Sequence, residues 1–294
     1  MKKGIFRAAP KLRKVLNEND IDVLVSCGDL VGILGALSTR FKKTKFVFWS
    51  HSSFKAPVLN KFKDFSEQFT ARFADVVISL TMADQQNYRN ETKAKRVVHI
   101  YNPIDPKLLE VDRNYNPSSK KIISVGRLDY PKNFLLLVDV AKIVLDKNPD
   151  YQWHIYGIGD DEKEIREKIE KNGLEGKLEL MGLSNNLYSI INEYGLMVMT
   201  SRFEGFPMSL IEGMACKLPL ISFDIATGPN EIIKNGDNGY LIEPLNIIEM
   251  SSRIDELIKN TEKRVAFSEA QDEILPKFEM SKIKQIWIEL FNSL

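Results

Sequence analysis

Cysteine and histidine are scarce in this chain. Its two cysteines, Cys27 and Cys216, and its three histidines, His51, His99 and His154, are scattered along 294 residues. They form neither a metal-ligand spacing nor a disulfide framework, and a reducing cytoplasm fits them best. An excess of one charge is also missing, since 41 Lys and Arg face 40 Asp and Glu. That balance excludes the global basic field of most nucleic-acid binders. No apolar run approaches the ~18 residues of a membrane span. The opening Met1-Lys2-Lys3-Gly4-Ile5 lacks the apolar core of a signal peptide. It reads as the start of a helix, with Ile5, Ala8, Leu12, Val15 and Leu16 on one face. With 44% hydrophobic residues the chain is globular in composition, and its length suffices for two domains.

Strand and helix patterns alternate throughout. Asp22–Cys27, Lys45–Ser50, Asp75–Leu80 and Arg96–Tyr101 read as strands, with helices near Leu30–Leu37 and Val58–Phe73 among them. Asn114–Ser119 is a polar turn cluster and reads as an interdomain linker. A second series places strands at 121–126, 151–157, 177–181, 195–200, 218–223 and 239–242. The helix at 160–172 carries Glu/Lys and Glu/Arg pairs four apart, which is a solvated face, and Gly173 stops it. Two such series imply an α/β protein with two Rossmann-like domains, each a parallel sheet covered by helices.

The densest stretch is Ser201-Arg202-Phe203-Glu204-Gly205-Phe206-Pro207-Met208-Ser209-Leu210-Ile211-Glu212. It runs from the end of a strand into a helix starting near Ser209, at the sheet edge where parallel α/β proteins bind ligands. Glu204 falls in the loop and Glu212 in the first helical turn. A ligand-free reading stays open for each: Glu204 as a solvated loop acid, Glu212 as the partner of Ser209 in a capping box. Arg127 follows another strand, with Gly126 allowing close backbone approach and Lys132 five residues on, a set suited to an anion. Asp20-Ile21-Asp22 is formally Asp-x-Asp but opens a strand, and reads as a turn.

The stretch from Glu204 to Glu212 resembles the E-x7-E signature of retaining nucleotide-sugar glycosyltransferases of the GT-B fold, family 4. Val125–Asn133, Trp153–Gly159, Thr227–Ile233 and Asn235–Ile242 are similar to further family segments in the same order. The resemblance implies two domains facing a cleft: residues 1–113 on the acceptor side, 114–278 binding the nucleotide sugar, and a helix in 279–294 crossing back to the first domain. It implies donor contacts from Gly126, Arg127, Lys132, Gly182, Glu204, Gly205, Phe206, Met208, Ser209 and Glu212. Arg127 and Lys132 would meet the diphosphate, Glu204 the transferred sugar and Glu212 the ribose. His51 would stand near the reacting carbon. Pro207 departs from the commoner Glu-Gly-Phe-Gly form and removes one N–H.

No metal and no cofactor are expected, the positive charge coming from side chains and helix ends. The partners implied are a UDP-sugar donor and a glycan or lipid-linked acceptor of bacterial surface polysaccharide synthesis, with no nucleic acid. Against complete family members the first domain reads as incomplete at its N-terminus. A complementing N-terminal chain or a homo-oligomer is therefore a further expectation. The Phe and Lys residues of Val58–Phe73 suit either packing on the sheet or peripheral contact with the inner face of the cell membrane. Two alternatives accompany the transferase reading: a non-catalytic or split-subunit nucleotide-sugar-binding protein, and a GT-B sugar-nucleotide epimerase.

Overall fold

The computed structural model describes residues 2–56 and 61–294, and the chain divides into two compact units, Met1–Asn102 with Ile283–Leu294, and Pro103–Lys282. In the first unit the order is α1 (Lys2–Glu18), β1 (Val23–Cys27), α2 (Asp29–Thr39), β2 (Lys45–Trp49), α3 (Lys61–Phe73), β3 (Val76–Ser79), α4 (Met82–Glu91) and β4 (Val97–His99). The four strands pair in parallel in the order β1-β2-β3-β4. Alternation along β2 sends Phe46 and Phe48 to one face, where they pack with Val77, Ala71 and Tyr88. Val47 points to the other, with Val76, Ile78 and Ile100.

The second unit holds α5 (Lys107–Glu110), β5 (Lys121–Val125), α6 (Phe134–Lys147), β6 (Gln152–Tyr156), α7 (Glu162–Lys171), β7 (Leu178–Gly182), α8 (Leu187–Ile190), β8 (Leu196–Met199), α9 (Met208–Ala215), β9 (Leu220–Phe223), α10 (Pro229–Ile232), β10 (Gly239–Ile242), α11 (Ile247–Lys259) and α12 (Thr261–Ile274). Its sheet is parallel, in the order β10-β9-β8-β5-β6-β7. The chain winds outward from β5 through β6 to β7, then returns to the other side of β5 and winds outward again. The switch point lies between β5 and β8. Ile122, Trp153, Val198 and Ile221 are buried in the sheet's core together with Leu137 of α6 and Ile254 of α11.

The division falls at Asn102–Pro103 and not at the polar cluster Asn114–Ser119. Residues 103–113 are pinned to the second unit: the Ile104 N–H donates to Phe278 O at 2.8 Å, Leu108 is fully buried, and Arg113 Nη2 reaches Asp272 at 2.7 Å. A linker read from composition misses such long-range pairs. The final helix, α13 (Met280–Asn292), supplies Ile283 and Leu290 to the first unit's core, and its Trp287 lies 4.9 Å from Trp49 between ring centroids. Each buried aliphatic side chain of this kind contributes roughly 1.5–3 kcal/mol.

Helix α3 is described from Lys61, so the expected start at Val58 lies outside the described residues. Phe69 and Phe73 pack against the first unit's core, whereas Phe65 is exposed. Among the described residues no helix is long and apolar enough to cross a membrane.

Candidate active site

The two strands that flank the switch point carry the candidate chemistry into one place. After β5 the chain runs Gly126-Arg127-Leu128-Asp129-Tyr130-Pro131-Lys132 into α6. After β8 it runs Thr200-Ser201-Arg202-Phe203-Glu204 toward α9. The loops are tied by backbone: the Arg202 N–H donates to Pro131 O at 2.8 Å, and Thr200 Oγ1 donates to Lys132 O at 3.2 Å. Across this seam Lys132 Nζ donates to Glu204 Oε1 at 2.6 Å. Both side chains are largely covered, 19% and 11% exposed. Ser201 Oγ donates to the same carboxylate oxygen at 2.6 Å, and Thr227 Oγ1 to the Glu204 carbonyl at 2.6 Å. Glu204 is therefore a fixed, paired acid and not a solvated loop residue.

Glycines decide how closely these loops approach. Gly157, after β6, has φ 151°, and a Cβ there would fall 1.8 Å from Gly126 O. Only glycine fits. A Cβ at Gly126 would crowd the Lys132 side chain, which runs directly over it. Gly228 has φ 101° and packs on Pro207, where a Cβ would meet Cδ at 2.4 Å. Pro207 is thus accommodated by a glycine in a distant segment.

The structure sets Glu212 apart from Glu204. Helix α9 begins at Met208, its N-cap is Pro207, and no side chain caps it. Ser209 is already helical, so the capping box is excluded and Glu212 stands in the second turn instead of the first. Its partner is Tyr188 of α8, whose Oη donates to Glu212 Oε1 at 3.4 Å. Burial raises the Glu212 carboxyl above the ordinary glutamate value; Tyr188 opposes that shift, and Asp105 adds to it. Burial, with Glu212 adding, raises the Tyr188 hydroxyl to about 12.

The remaining predicted residues are distributed around this centre. Arg127 is 78% exposed and pairs with Asp129 at 3.0 Å, outside the Lys132–Glu204 contact. Gly182 ends β7 with φ 71°, and its carbonyl accepts from the Gly157 N–H at 2.9 Å. Gly205 is half-buried in the loop leading to α9, and Met208 and Ser209 open that helix. Phe206 is buried, 5.7 Å from Phe278, so its ring belongs to packing. His51 lies in the first unit beyond the end of β2, its ring 4.3 Å from that of Trp49, and partial burial lowers its pKa. His154 is held by Tyr194 Oη at 2.8 Å within the second unit's sheet. Among the described residues no group of three or more His, Cys, Asp or Glu is placed to hold a metal ion.

Ser201, Thr227 and Tyr188 contribute contacts that motif reading did not assign. Ser201 had a signal, three residues before Glu204, whereas Tyr188 had none.

A doubly wound parallel sheet with a paired cation and acid at its switch point, following a smaller parallel sheet, fits the two Rossmann-like domains of a GT-B fold. The chain belongs to the glycosyl transferases group 1, whose model matches residues 109–273, and residues 2–108 match glycosyltransferase family 4. It is similar to the Erwinia amylovora amylovoran biosynthesis glycosyltransferase AmsD, 30% identical, with 92% of this chain and 77% of that protein covered. It is also similar to a Staphylococcus aureus poly(ribitol-phosphate) alpha-N-acetylglucosaminyltransferase, 33% identical over 74% of this chain and 44% of that protein. Among solved structures, a S. aureus TarM variant in complex with Fondaparinux, alpha-GlcNAc-glycerol and UDP matches with a TM-score of 0.82 and 25% identity. That match covers 95% of this chain and 58% of the TarM chain. The chain thus spans about half the length of the S. aureus proteins and a larger part of AmsD.

Proposed function

We propose that the protein transfers a hexose or N-acetylhexosamine from a UDP-sugar, with retention of configuration, to a glycan or lipid-linked acceptor in bacterial surface polysaccharide synthesis. The observation that carries the reading is the Lys132–Glu204 pair at the switch point, a cation and a carboxylate 2.6 Å apart. The UDP complex of TarM and the sugar-transferring relatives support it.

In this reading the bond from sugar C1 to the β-phosphate oxygen breaks and UDP leaves with the electron pair. The acceptor hydroxyl oxygen bonds to C1 on the same face, and its proton passes to the departing phosphate. Lys132 and Arg127 stabilise the charge that collects on the diphosphate. A positioned cation of this kind removes the need for a bound metal. Glu204 accepts a hydroxyl of the transferred sugar, and Glu212, steadied by Tyr188, accepts the ribose hydroxyls.

The test is transfer and hydrolysis across a panel of labelled nucleotide sugars, with and without chelator, with NMR reading the product anomer. Turnover of one UDP-sugar with the α-anomer kept, insensitive to chelator and lost in Lys132→Ala, is expected. No turnover and no UDP binding at millimolar nucleotide would overturn the proposal.

A further inference from the structure

The two loops of the candidate site carry three cations, and the structure treats them unequally. Lys132 is paired with Glu204 and Arg127 with Asp129. The third, Arg202, has no carboxylate partner among the described residues. Its guanidinium carbon instead sits 4.6 Å from the centroid of the Tyr130 ring. Tyr130 is 54% exposed, and the partly exposed Phe203 ring lies 6.5 Å from it. The Arg202 N–H bond to Pro131 O fixes this cluster beside the Lys132–Glu204 pair.

An exposed Tyr130 beside a partly exposed Phe203 and an arginine is more apolar ring surface than a solvated loop needs. Aromatic rings and Arg are the side chains that dominate recognition surfaces, because they offer large contact area and directional donors at little entropic cost. The ring restrains the guanidinium by cation–π attraction, and no acid neutralises it. A restrained, unneutralised fork is suited to phosphate.

We propose that Arg202, set on Tyr130 beside Phe203, is a subsite for a phosphate group of the acceptor, carried on the molecule that receives the sugar. The inference rests on the transferase reading above and adds the acceptor's chemistry to it. Two sources offer such a phosphate: a polyol-phosphate chain and a prenyl pyrophosphate carrier. The rings would flank the adjoining sugar, polyol or prenyl carbons while Arg202 holds the anion.

Binding separates this proposal from the reaction itself. With the wild-type chain saturated with UDP, a glycerol-phosphate oligomer, geranyl pyrophosphate and an uncharged chitooligosaccharide are titrated by calorimetry. At least one anionic probe is expected to bind, weakening as salt rises. Arg202→Ala should lose roughly tenfold in affinity, as for a charge-assisted hydrogen bond, Arg202→Lys less, and Tyr130→Ala should fall between. UDP affinity should stay within about twofold in all three variants, and their melting temperatures should match wild type because the cluster is exposed. The probe that binds identifies the source. Failure of both anionic probes to bind would overturn the inference, as would equal binding by wild type and Arg202→Ala or preference for the neutral sugar. A parallel loss of UDP affinity would move Arg202 into the donor site. Failure of the wild type to bind UDP at all would instead bring down the donor reading on which the inference rests.

Discussion

Glu204 and Glu212 are two carboxylates of one motif in unlike surroundings. Glu204 meets an ammonium and a hydroxyl; Glu212 meets a tyrosine in a desolvated position. The pKa of Glu212 in the folded chain lies above its unfolded value, so the folded state holds the proton longer. Stability is therefore greatest below the unfolded pKa and falls as pH rises through the interval between the two values. Glu212→Gln removes that fall. The variant should melt like wild type at about pH 4 and higher than wild type at about pH 8. At about pH 8 it should bind UDP roughly tenfold more weakly, having lost a charged acceptor, and the difference should shrink toward pH 4, where the wild-type Glu212 is itself protonated. Melting curves at both pH values and calorimetry with UDP check this. Unchanged UDP affinity would remove Glu212 from the donor site.

At the scale of elements, the site depends on how closely the loops after β5 and β6 can lie. Gly157 allows that approach, and Gly157→Ala would place a methyl group inside the Gly126 carbonyl contact. The loop bearing Arg127 must then move. A loss on the order of 3 kcal/mol is expected from backbone strain at such a position, together with weaker UDP binding. Urea unfolding of the variant measures the first and calorimetry the second; a change below about 0.5 kcal/mol, the level of an ordinary surface substitution, would show that the strand ends separate freely. The αL conformation of Asn133, φ 56° at the head of α6, belongs to the same turn, and Asn is among the residues that tolerate it.

For the whole molecule, the last helix joins sequence ends that composition keeps apart. Leu290 and Ile283 are buried in the first unit's core, whereas the residues proposed to meet UDP all lie in the second. Leu290→Ala should cost about 3 kcal/mol, the usual range for a buried Leu truncation, with UDP affinity within about twofold of wild type. Denaturation followed at Trp49 and Trp287 reports the first, and nucleotide titration the second. A large fall in UDP affinity would mean that the second unit's site depends on this helix.

Much of this was legible from local pattern. Buried parallel strands write themselves as short apolar runs, so β5 through β10 fall within a residue or two of their expected places. Lys132 and Glu204 could be singled out because the loops after parallel strands carry ligand chemistry and because the family string is specific. Only the tertiary structure decided which partner each acid has. Tyr188 meets Glu212 across 24 residues, and Lys132 meets Glu204 across 72. It also set the start of α9 at Met208, which ended the capping reading of Ser209. The unit boundary at Asn102 rests on long-range packing as well, whereas the return of the last helix was already implied by the family resemblance. Periodicity is a property of neighbours in the chain, and hydrogen bonds, desolvation and close backbone approach are properties of neighbours in space.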